Sequence, residues 1–149
     1  GITVGLKGNR VSRNQIKAIK EESVTDQKNS LTVCLDNILR HAGITRNTEY
    51  DLAQGKTAIQ ILEENMTGVQ VLDLSGCSLD AVLYYVNQDI PVLAILEDGE
   101  AVLVTGFNEF NVVIMEPATG KLYKKGMNDA TAWFAENGNH FITYMRTEN

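Results

Sequence analysis

Cysteine, proline, histidine and tryptophan are all scarce in this chain of 149 residues, and each shortage removes a class of explanation. The two cysteines, Cys34 and Cys77, lie far apart and form neither a disulfide framework nor a zinc-ligand spacing. Two prolines and no low-complexity stretch exclude a proline-rich linker or a repeat array. No apolar run approaches the roughly 20 residues that a membrane-spanning helix needs, so this segment is not expected to insert into a membrane. Positive charge is also short, with 13 Lys and Arg against 19 Asp and Glu and a net charge of −6. Nucleic-acid binding asks for a basic stripe, and none is present. The one basic cluster, residues 121–125, is interrupted by Leu122 and Tyr123 and reads as a solvated strand edge. No cofactor motif stands out: Gly55-Lys56-Thr57 resembles the tail of a phosphate loop, but Tyr50 stands where its first glycine belongs. Asn65-Met66-Thr67 fits a glycosylation acceptor, a triplet common by chance. Neither a metal nor a cofactor is expected.

What is present is an ordinary globular composition, 44% apolar and 21% charged, in a length that suits one domain over residues 1–149. The chain begins with Gly1 rather than Met, which suggests a piece of a larger protein. Residues 2–6 could form a short strand and residues 12–22 a charged helix. Leu31, Leu35, Ile38 and Ala42 then recur at helical spacing, with Asn29 or Ser30 placed to cap the helix and Gly43 to close it. Thr57 and Gln60 form a capping box for a second helix reaching Asn65, and Ser78 can cap a third with Leu79, Val82, Leu83 and Val86 facing inward. The second half changes period. Residues 90–96, 101–105 and 111–115 read as strands, with Asp98-Gly99 as a hairpin turn and residues 117–120 as another. A short helix over 129–136 ends at Gly138, and residues 140–145 make a last strand. Helices first and an antiparallel sheet afterwards is an α+β pattern.

Residues 91–120 read PVLAILEDGEAVLVTGFNEFNVVIMEPATG: a strand and hairpin, Glu100, a valine-rich strand to Gly106, then a strand ending in Glu116-Pro117 before Gly120. Tyr84, Tyr85 and Asp89-Ile90-Pro91 lead into it. This arrangement resembles the papain-fold family that cleaves double-glycine leader peptides, family thirty-nine of the cysteine peptidases. The resemblance covers roughly residues 27–145 and is sharpest in the strand pair. It implies a papain-like α+β fold, with N-terminal helices packed on an antiparallel sheet. In the family the position of Glu100 holds histidine, and Glu116-Pro117 stands for an Asp-Pro pair. The nucleophile begins a helix with a Cys-Gly-Pro-like start, and counting back from Gly43 puts Ser30-Leu31-Thr32 there.

The triad positions therefore hold Ser30, Glu100 and Glu116, and that combination points away from catalysis. An imidazolium lowers a thiol pKa and then delivers a proton to the leaving amine; a carboxylate discourages the first and does the second poorly. Two facing carboxylates also resist joint ionisation. A different helical register makes Cys34 the nucleophile, with His140 as base and Gln27, seven residues upstream, as oxyanion donor. His41 stands two turns beyond Cys34 and cannot reach it directly. Three readings follow: a non-catalytic peptide- or protein-binding or assembly module, an active cysteine peptidase using Cys34 with His140, or a structural domain. The resemblance implies a bacterial, exported or cell-envelope setting.

Overall fold

The structure is a computed structural model and describes residues 29–147. The expected strand over 2–6 and helix over 12–22 lie outside that range, as does Gln27. Five helices and six strands follow in order: α1 (Ser30–His41), α2 (Glu49–Ala53), α3 (Ala58–Asn65), β1 (Val69–Asp73), α4 (Leu79–Val86), β2 (Val92–Ile95), β3 (Ala101–Phe107), β4 (Asn111–Glu116), β5 (Lys121–Gly126), α5 (Met127–Glu136) and β6 (His140–Arg146). The strands form one sheet in the order β1-β6-β2-β3-β4-β5, and every neighbouring pair is antiparallel.

Local chemistry sets the helix ends. Asn29 Oδ1 accepts hydrogen bonds from the Leu31 and Thr32 amides at 2.7 and 3.3 Å, satisfying two of the donors that start α1. Gly43, at φ +87°, turns the chain out of the helix, and the Ile44 amide bonds back to the Leu39 carbonyl at 2.8 Å. In α3 both halves of the capping box are made, Gln60 N–H to Thr57 Oγ1 and Thr57 N–H to Gln60 Oε1.

The sheet has a core on each face. Cys34, Leu35, Ile38 and Leu39 of α1 and Ile61 and Leu62 of α3 pack against Leu93, Ala101, Leu103, Met115 and Ile142. On the other face, Leu79, Val82, Leu83 and Val86 of α4 and Ala130 and Phe134 of α5 pack against Val102, Val104, Val112, Ile114 and Phe141. This explains why β3 is buried along all seven residues, with Thr105 its one polar side chain: covered on both sides, it has no solvent face to alternate towards. No helix of the described residues is long and apolar enough to cross a membrane.

The fold is α+β, as the sequence implied, but the simple division into helices and then sheet needs correction. The short strand β1 lies among the helices and pairs with β6, some 70 residues later, which no local pattern announces. Strand β3 runs on to Phe107, with a register shift between Val104 and Gly106 where it was expected to stop. The basic cluster forms strand β5, whose only strand partner among the described residues is β4.

Candidate functional site

Three chain segments meet at the end of the sheet where β3 begins and β4 ends. The β2–β3 turn is tight: Gly99, at φ +89°, donates to the Leu96 carbonyl at 2.9 Å, and Leu96 N–H donates to the Glu100 carbonyl at 2.7 Å. Asp98 Oδ1 accepts from Glu100 N–H at 2.9 Å and fixes Glu100 at the head of β3. Ser30, the first residue of α1, turns its hydroxyl to this point, where Oγ accepts from the Ala101 amide at 2.8 Å. Glu116 closes β4, and its Oε1 accepts from the Ala118 amide at 2.9 Å in the turn that follows. Ser30, Glu100 and Glu116 thus line one cleft of about 310 Å³.

The other walls were not singled out by sequence reasoning. Asp98 adds a third carboxylate, and Leu96, Val102 and Pro117 supply apolar surface. Tyr123 of β5 and Trp133 of α5 also line the cleft. A usable signal existed for Trp133, since it is the single tryptophan and stands on an amphipathic helix. Tyr123 sits within the basic cluster, where its neighbours concealed it. The Lys125 ammonium lies 4.9 Å from the centre of the Trp133 ring, a cation–π distance.

Cys34 is elsewhere. Its side chain is 0% exposed, inside the core with Leu35 and Ile38, and it does not line the cleft. Burial pushes its thiol well above the usual range, and the negative charge of Glu116 adds to the effect. A nucleophilic thiol needs the reverse, a lowered pKa and access, so this placement gives no support to the alternative register that makes Cys34 the nucleophile. One helical turn inside the N-terminus, the residue lies on the face that α1 presents to the sheet. His140, its expected base, pairs with Ile95, so one interstrand step of about 4.8 Å separates it from the residue preceding Leu96 of the cleft wall. It does not line the cleft, and its charge instead helps hold Asp73 low, behind two hydrogen bonds from Ser75. His41 is half-buried at the far end of α1, its Nε2 3.1 Å from the Asp89 carbonyl.

The architecture has a counterpart among solved structures. A crystal structure from Bacillus anthracis described as a C39-like peptidase matches with a TM-score of 0.74 over 91% of this chain and 98% of that one, at 14% sequence identity. The fold is that of a C39-like peptidase. No family model and no curated protein matches the sequence. Within this peptidase-like fold, the hydroxyl of Ser30 already holds the first amide of β3. Ser30→Ala should orphan that part-buried N–H and cost about 1–3 kcal/mol, read as a lower urea midpoint. An unchanged midpoint would show that water replaces the hydroxyl without loss.

Proposed function

We propose that this domain is a non-catalytic member of the double-glycine peptidase-like class and binds an extended peptide or protein segment in the cleft. The observation that carries this reading is the lining itself: an open cleft beside the start of α1 presents Ser30, Glu100 and Glu116, and no imidazole. Attack on a peptide bond requires a group that removes a proton from the nucleophile and returns it to the leaving amine. A carboxylate is a weak base towards a serine hydroxyl, and Ser30 Oγ is already engaged by the Ala101 amide. The cleft volume falls at the lower end of the range for ligand sites, about 300–1,000 Å³, and suits a few side chains of a bound strand. The peptidase-like neighbour supplies the ligand class, a peptide, while the chain's own residues argue against cleavage.

Trp133 gives a direct test, because the single tryptophan lines the cleft and its emission reports on occupancy. A library of short extended peptides should include members that shift the emission saturably, and chromatography should find every peptide intact. Cleavage that disappears in Cys34→Ala would reverse the reading in favour of an active cysteine peptidase. No shift with any peptide would leave a purely structural domain.

A further inference from the structure

The cleft has a sign. Among the described residues, every ionisable side chain that lines it, apart from the phenol of Tyr123, is a carboxylate: Asp98, Glu100 and Glu116. Asp98 spends Oδ1 on the Glu100 amide, and Glu116 spends Oε1 on the Ala118 amide. The Glu100 carboxylate accepts no hydrogen bond and joins no ion pair among the described residues. Lys121 stands opposite Glu116 in the β4–β5 register, yet the two make no ion pair. The negative charge of Glu116 is therefore felt by its surroundings, where it adds to burial in raising both Tyr123 and Cys34.

The aromatic wall points to the same kind of occupant. Tyr123 is 40% exposed, and Trp133 holds the Lys125 ammonium near its ring. A lysine from the protein itself thus shows that this wall accepts an alkylammonium group. A metal ion is a poorer fit than an organic cation. Among the described residues, no three His, Cys, Asp or Glu side chains converge closely enough to hold one. Spread carboxylates beside aromatic rings suit a long cationic side chain, whose stem packs on apolar surface while its head meets the charges. Leu96, Val102 and Pro117 supply that surface.

We infer that the cleft recognises an extended peptide segment bearing lysine or arginine, with the cationic side chain held between Glu100, Glu116 and the Tyr123–Trp133 wall. The inference rests on the peptide-binding reading above and adds the ligand's charge to it. The net charge of −6 favours the same partner at long range, since a negative field speeds the approach of a cationic segment.

Three blocked hexapeptides separate the possibilities, alternating alanine with lysine, glutamine or glutamate, titrated against the whole chain with Trp133 emission as the readout. The lysine peptide should bind about tenfold more tightly than the glutamine one and lose about tenfold between 0.05 and 0.5 M salt. Glu100→Gln and Glu116→Gln should each weaken it about fivefold and leave the far-ultraviolet circular dichroism spectrum unchanged; glutamine keeps the oxygen that accepts from Ala118. Equal binding of the glutamine peptide, or preference for the glutamate one, overturns the charge assignment and leaves the peptide-binding reading intact. Failure of all three to bind, together with a silent peptide library, overturns both.

Discussion

Changing Ser30 to Cys and Glu100 to His together should produce a reactive thiol where none now exists. The new sulfur would occupy the first residue of a 12-residue helix, where the helix dipole favours a thiolate. The Ser30 hydroxyl already reaches the amide of Ala101, the residue next to position 100, and Glu116 lines the same cleft and could orient the imidazole. In a Cys77→Ser background, the double variant should react with iodoacetamide at neutral pH at least about tenfold faster than either single variant, because nucleophile and base act as a unit. Cys34 contributes little to the signal, being fully buried. Peptide turnover should stay poor for want of an arranged oxyanion site. Equal rates in the double variant and in Ser30→Cys alone would mean that position 100 does not face the nucleophile, and the triad correspondence would fall.

The second large effect is expected in alkali. The Cys34 thiol is held well above the ordinary range, first by desolvation and then by Glu116. Below about pH 8.5 the thiol is neutral in folded and unfolded chains alike, so its contribution to stability is fully present. Above that pH the unfolded chain ionises while the folded one does not. Stability then falls by about 1.4 kcal/mol per pH unit until the raised folded value is passed. Urea titrations should show this slope from pH 8.5 upward in the native chain, and Cys34→Ala should lack it. Tyr123 and Tyr144, both pushed up by burial, add a loss of the same sign only above about pH 10. Parallel curves for the two proteins between pH 8.5 and 9.8 would contradict the buried, neutral thiol.

How legible the molecule was depended on how local each signal is. The α1 stripe, the Thr57–Gln60 box and the Asp98-Gly99 turn are written within a few residues, and the structure contains all three. The β3–β4 pair was legible for the same reason: two apolar strands joined by a short connection have few other partners. The hidden features are non-local. β1 is five residues long and takes its register from β6. Tyr123 and Trp133 reach the cleft only because β5 and α5 fold back beside β4. Cys34 shows a subtler limit. Its spacing from Leu35 and Ile38 placed it on the apolar stripe, while a possible slip in the family register left it a candidate nucleophile. A slip of one helical turn preserves the stripe, so periodicity could not decide between the two. The structure adds what periodicity lacked, a side chain with no exposure.

The position of β6 has a consequence for how the chain acquires its shape. The last strand in sequence lies inside the sheet, between β1 and β2. Among the described residues, β1 has no strand partner and β2 presents an open edge until residues 140–146 arrive, so the two are unconnected. Closing the sheet joins residues some 70 positions apart, an entropic cost met before any of the pairing is gained. The sheet is therefore completed only when β6 joins it, and a chain that has not yet made β6 carries exposed edges on β1 and β2.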